Sequence, residues 1–217
     1  MIQGSLKSSF TLDYVLHTPA AEPPWPVFIV LHGFGQTALD FSRSFLPLVE
    51  KGIMVAAPQA PHPTYLNRER ELGFSWLTRY QRDRAVEELA DYLTSFYRLL
   101  KGRNDIDPEQ VGLFGFSQGS SIAYRLWIRR AFPVSRLFSC GGDLPPDVED
   151  RLEEADPLPV FVMHGAHDHL VPASKPIHAH HRLKAHGIPA TRLEYSCGHE
   201  VAPEMVRDVA RQFRALN

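Results

Sequence analysis

The 217-residue chain is predicted to adopt an α/β fold, a mostly parallel central sheet with helices on both faces. Three observations lead there. Short unbroken apolar runs recur at residues 27–31, 53–57, 111–116, 137–140 and 160–163, as in strands covered on both sides. Stretches with helical periodicity follow several of these runs. No repeat, low-complexity tract or break in composition divides the chain, so residues 1–217 are expected to form a single domain.

Taken in order, residues 11–16 alternate polar and apolar side chains, the pattern of an antiparallel edge strand with one wet face. Pro19, Pro23, Pro24 and Pro26 follow, and a segment short of amide hydrogens is expected to stay outside any sheet ladder. Beyond the run at 53–57, residues 58–80 show no clear periodicity, and connections of that length commonly act as lids or binding segments. Between residues 82 and 101, Val86, Leu89, Leu93, Phe96, Tyr97 and Leu100 recur at steps of three and four, with Gly102 as the stop. Further helices are expected at 118–130, 172–186 and 203–216, the last two with proline near their start, and a weaker strand at 192–195.

Composition narrows the class. Lys plus Arg total 23 against 25 for Asp plus Glu, a formal charge of −2, which lacks the basic excess a nucleic-acid binder needs. The longest apolar run is five residues and residues 1–10 contain no apolar leader core, so neither a membrane span nor a secretory signal is expected. The cytoplasm is the expected compartment. Cys140 and Cys197 are too few for a disulfide framework and are expected as small apolar filler.

The chemistry concentrates at the ends of the apolar runs. Gly115-Phe116-Ser117-Gln118-Gly119 falls where a buried strand gives way to a helix, the context in which G-x-S-x-G forms a sharp turn presenting its serine. Glycines at 115 and 119 remove side chains that would collide across such a turn. A helix starting at Gln118 leaves that residue's amide hydrogen without an intrahelical partner. Leu31-His32-Gly33-Phe34-Gly35 closes the first buried run, and the Phe34 and Gln118 amides together would form a two-donor oxyanion hole. His32 is expected to hydrogen-bond its own turn.

A serine hydroxyl needs a base, and the base an orienting acid. Asp168 lies 51 residues after Ser117 in His164-Gly165-Ala166-His167-Asp168, and His199 a further 31 residues on in Gly198-His199-Glu200-Val201. Both follow strand candidates at carboxyl ends, where ligand sites of open α/β sheets gather. Asp143, in Gly141-Gly142-Asp143 after the run at 137–140, competes for the acid role, although its setting favours a turn aspartate. The segment 58–80 carries Phe74, Trp76 and Leu77, which are expected to line a substrate pocket above the serine. Eleven histidines include His178, His180 and His181 on one predicted helix, but the H-E-x-x-H spacing is absent. No metal or cofactor is expected.

LHGFG, GFSQG, HGAHDHLVP and GHEV, in this order, resemble the α/β-hydrolase carboxylesterase and lysophospholipase family that includes the acyl-protein thioesterases. Ser75-Trp76 matches a dipeptide that family carries in its substrate-side loop. The resemblance implies an α/β-hydrolase fold and a serine hydrolase acting on a small ester or thioester, with Ser117 as nucleophile, Asp168 and His199 as partners, and Phe34 and Gln118 as backbone donors. It departs from the family at Gln36, where many members are acidic, at Ser120, where glycine is usual, and at Leu77 and Thr78. Acyl-thioesterase or lysophospholipase activity is the nearest alternative to carboxylesterase. A catalytically silent hydrolase fold used for binding is the alternative of another class, and its mark would be a missing triad member. A homodimer is compatible with the sequence but not derivable from it.

Overall fold

The computed structural model describes residues 11–214 together with Met1, Gly4 and Leu6. Its strands and helices are β1 (Tyr14–His17), β2 (Trp25–Leu31), α1 (Ala38–Arg43), α2 (Leu46–Val49), β3 (Met54–Pro58), β4 (His62–Tyr65), β5 (Leu72–Ser75), α3 (Arg82–Gly102), β6 (Ile106–Phe116), α4 (Gln118–Ile128), β7 (Arg136–Cys140), α5 (Pro146–Glu149), β8 (Val160–Gly165), α6 (Ser174–Ala185), β9 (Ala190–Tyr195) and α7 (Pro203–Arg214). Seven strands form the main sheet in the order β1-β3-β2-β6-β7-β8-β9. Every pairing is parallel except that of β1 with β3 at the edge.

Two cores explain why the strand sequences are continuously apolar. Successive residues of a strand point to opposite faces, so Val27, Ile29 and Leu31 join one core with α3, α4, α5 and α6, while Phe28 and Val30 join the other with α1, α2 and α7. The first contains Leu93, Leu126 and Leu183; the second contains Phe41, Phe45, Met205 and Val209. A sheet covered in this way has no wet face in its central strands. The α/β-hydrolase expectation is therefore met, with parallel strands whose carboxyl ends open at one rim. Among the described residues, no helix is long and apolar enough to cross a membrane.

Several expectations are corrected. The edge strand begins at Tyr14, three residues later than its alternation implied. Pro26 lies inside β2, at a register shift between Trp25 and Val27, which is where a residue without an amide hydrogen can be tolerated in a ladder. The 58–80 connection is not structureless: Pro58 ends β3, and β4 pairs antiparallel with β5 as a hairpin. Helix α4 stops at Ile128 and α6 starts at Ser174. The predicted last helix is observed as α7 to Arg214, and its expected end at 215–216 lies outside the described residues. Cys140 is buried, with its sulfur 3.6 Å from that of Met205, as apolar filler would be.

Candidate active site

The β6–α4 turn holds Ser117 at φ 52° and ψ −114°, a region that costs a non-glycine residue about 1–3 kcal/mol. Two features hold it there. The Ser117 amide donates to the Cys140 carbonyl at 2.8 Å, and β6 runs so close to α4 and β2 that a side chain on Gly115 would strike the Gly119 carbonyl, while one on Gly119 would strike that of Leu31. Glycine at those two positions is a packing requirement of the turn. Ser120, where glycine is usual, fits because its buried hydroxyl pairs with that of Ser139 at 2.6 Å.

Asp168 and His199 arrive from neighbouring loops that continue the β8–β9 pairing past the strands. The Ala166 amide donates to the Tyr195 carbonyl at 2.7 Å and the His167 amide to the Cys197 carbonyl at 2.9 Å. The Asp168 side chain is 1% exposed. Its Oδ1 accepts the Leu170 and Val171 amides at 2.8 and 2.9 Å, and its Oδ2 faces His199 Nδ1 at 2.7 Å. Burial pushes the Asp168 pKa up, but the hydrogen bond from His199 and the two amides outweigh it, so the carboxyl sits below its ordinary value. An ionised carboxylate only accepts, so His199 carries its hydrogen on Nδ1 and presents the Nε2 lone pair to Ser117 Oγ, 2.9 Å away. The imidazole also packs on Phe116, with ring centres 4.9 Å apart. Asp143 is not part of this array: its Oδ2 pairs with Lys175 Nζ at 2.6 Å.

The 32–36 turn is held from below by a buried polar network. His32 Nε2 accepts the Ala60 amide at 3.2 Å and Gln59 Nε2 at 2.8 Å, so its hydrogen is on Nδ1, which donates to the Gly33 carbonyl at 2.7 Å. Desolvation lowers the His32 pKa to about 4, and the ring stays neutral. Around Phe34 the amides are taken: Gly33 donates to Gln36 Oε1 at 2.7 Å and Gly35 to the Phe74 carbonyl at 2.8 Å. Neither the Phe34 nor the Gln118 amide has an acceptor among the described residues. The Phe34 side chain is exposed.

Of the three residues expected to line a substrate pocket, Trp76 and Leu77 are buried and Phe74 is partly exposed. Trp76 is 0% exposed, with its indole donating to the His32 carbonyl at 2.7 Å and its ring against the His32 ring at 5.0 Å. A buried indole needs a hydrogen-bond acceptor, and this carbonyl supplies one inside the fold. Leu77 is buried in the core shared with α3, and Phe74 packs against that core. The side chain of Gln118 ties this segment to the elbow: Oε1 accepts the Trp76 amide at 2.8 Å, and Nε2 donates to the Leu77 carbonyl at 2.9 Å. Sequence reasoning used only the Gln118 backbone, and it missed Gln59 altogether, since a lone glutamine carries no local pattern.

One cavity borders the His199 imidazole. Its volume is about 400 Å³, and its wall includes His199, Phe116, Phe41, Gln36, Leu72 and Glu200. None of Phe74, Trp76 and Leu77 contributes to that wall.

With this geometry established, the comparison with known proteins is direct. Residues 16–217 match the phospholipase/carboxylesterase family. The chain belongs to that family. Membership makes it an esterase-type hydrolase of small carboxylic esters. The folds of solved relatives agree. The chain is similar to esterase PE8 at 24% identity over 96% of this chain and 100% of that one, with a TM-score of 0.79. A Bacillus cereus carboxylesterase gives 16%, 94%, 94% and 0.73 in the same order, and Zea mays acyl-protein thioesterase 2 gives 20%, 94%, 98% and 0.68. At such identities these likenesses establish the shared fold.

Proposed function

We propose that Ser117, His199 and Asp168 are the nucleophile, base and acid of the ester hydrolysis, and that the Phe34 and Gln118 amides bind the oxyanion. The observation that carries this reading is the continuous hydrogen-bond chain Ser117 Oγ–His199–Asp168, with contacts of 2.9 and 2.7 Å. As Ser117 Oγ attacks the acyl carbon, its proton passes to His199 Nε2, and Asp168 stabilises the imidazolium through Nδ1. The imidazolium then protonates the departing oxygen, leaving an acyl-serine that water cleaves by the same route. The two amides, without an acceptor among the described residues, suit the tetrahedral oxyanion, which forms only during reaction. A binding protein on a silent hydrolase fold would have no use for a complete triad in contact.

Ser117→Ala should reduce hydrolysis of p-nitrophenyl acetate by about 10³-fold or more and abolish labelling by a fluorophosphonate, with an unchanged circular dichroism spectrum. Near wild-type turnover by that folded variant would overturn the assignment. Thioesters and lysophospholipids meet the same chemistry, and parallel rates on the three classes would rank them.

A further inference from the structure

The two oxyanion donors sit on different loops, Phe34 after β2 and Gln118 at the start of α4. Stabilising an oxyanion requires both N–H groups to be set in advance at one separation and direction. The direction of the Phe34 donor is fixed within its own turn. In a trans peptide the C=O and N–H point opposite ways, and the Gly33 carbonyl of that peptide accepts His32 Nδ1 at 2.7 Å and the Gln36 amide at 3.3 Å. The Phe34 N–H is thereby aimed away from those two donors.

A third segment, residues 73–77, ties the two loops to each other. On the Phe34 side, the Gly35 amide donates to the Phe74 carbonyl at 2.8 Å and the Trp76 indole to the His32 carbonyl at 2.7 Å. Gly73 lies so close that a side chain there would strike the Gly35 carbonyl. On the α4 side, both polar atoms of the Gln118 carboxamide are engaged. Oε1 accepts the Trp76 amide at 2.8 Å, while Nε2 donates to Ser75 Oγ at 3.0 Å and to the Leu77 carbonyl at 2.9 Å. The Ser75 hydroxyl passes its own hydrogen to the Leu77 carbonyl at 2.8 Å. Ser75 and Trp76 are buried. Trp76 thus bonds both loops at once, through its indole on one side and its amide on the other.

Resting on the oxyanion assignment above, we propose that residues 73–77 are a brace that presets the gap between the two donors. The Gln118 carboxamide and the Trp76 indole are its positioning residues, acting on the reaction only through the backbone amides they hold. The carboxamide suits this place because one end meets a donor and the other meets acceptors. A glutamate would set an oxygen against the Leu77 carbonyl, and a methionine would leave the Trp76 amide without its acceptor. Without the brace both oxyanion donors remain, but not at one separation, so stabilisation of the transition state falls while the triad is untouched.

The test compares p-nitrophenyl acetate with its thionoester, in which sulfur, larger and a weaker hydrogen-bond acceptor, replaces the carbonyl oxygen. The readout is the ratio of the two kcat/KM values, each divided by the rate of that compound with hydroxide. The wild-type ratio is expected to favour the ester strongly. In Gln118→Met, which keeps the backbone amide, kcat/KM should fall about tenfold on the ester and little on the thionoester. The pH midpoint of kcat/KM should stay at its wild-type value, because His199 and Asp168 keep their contacts. A folded Gln118→Met protein with the wild-type ratio would overturn the proposal, as would equal losses on both substrates, the mark of general damage. Ser75→Ala removes one acceptor of Nε2, should lower the ratio about threefold, and decides the matter by the same criteria where Gln118→Met does not fold. A wild-type protein with no preference for the ester would show that the oxyanion assignment itself has failed, and the brace with it. A preference that the variants retain would leave that assignment standing and remove the brace alone.

Discussion

Two adjacent strand ends, β7 and β8, share the same two residue types and finish in different surroundings. Each leads into glycine and then aspartate at the carboxyl rim, Gly141-Gly142-Asp143 after β7 and Gly165-Ala166-His167-Asp168 after β8. The β7 loop turns inward beneath the elbow. Cys140 accepts the Ser117 amide, the Gly141 amide donates to the Met163 carbonyl at 3.0 Å, and a side chain on Gly142 would meet the Ser120 side chain and the Ser117 carbonyl. Its aspartate is left to pair with Lys175 at a site where the two side chains are 40% and 48% exposed. The β8 loop is instead fastened to the loop after β9, which carries His199, and its aspartate is buried with three hydrogen-bond donors. A strand-end aspartate reaches the His199 imidazole only where its loop is tied to the loop that carries that histidine.

The largest test of that contrast is Asp168→Asn, which leaves shape intact but removes the anion that fixes the imidazole. It should lower kcat by about 10³-fold or more, measured on p-nitrophenyl acetate, and an effect smaller than that of Asp143→Asn would break the comparison. Next comes Gly142→Ala, which should destabilise the fold by about 1–3 kcal/mol in urea titration because the added methyl has no room below the elbow. At Gly198 the same substitution finds open space, with the nearest atom at 3.9 Å, and should change the urea midpoint little.

A third effect concerns acid. The folded Asp168 pKa lies below the unfolded value, so below about pH 4 the unfolded chain binds more protons there. Its contribution to stability is present above that value and is lost as pH falls through the folded one. Asp168→Asn should therefore flatten the acid limb of a stability–pH curve; an unchanged limb would place the acid sensitivity elsewhere. The smallest effect is that of Asp143→Asn: kcat within twofold and stability within about 0.5 kcal/mol, as for an exposed ion pair.

Much of the site was legible because its signals are local. Gly115 and Gly119 mark a turn that no larger residue permits, and the apolar runs on either side fix it at a strand–helix junction. The positions of Asp168 and His199 followed from their places after later strands. Helix α1 carries a local signal as well: Thr37 Oγ1 accepts the Asp40 amide at 3.1 Å, a T-x-x-D cap. Trp76, expected to line a pocket, is buried in the fold. An apolar side chain in a long loop looks the same in sequence whether it faces substrate or core, and here the free carbonyl of His32 drew the indole inward.

The sequence by itself determined the layered α/β architecture, the order of the strand ends, and which residue types stand at them, because periodicity and glycine geometry act over a few residues. Only the tertiary structure decided which aspartate faces His199, that the side chain of Gln118 binds the 75–77 segment, and that the cavity beside the imidazole is walled by Phe41, Glu71 and Glu200. Those outcomes depend on contacts between segments tens of residues apart, whose geometry is fixed only when both cores have closed on the sheet.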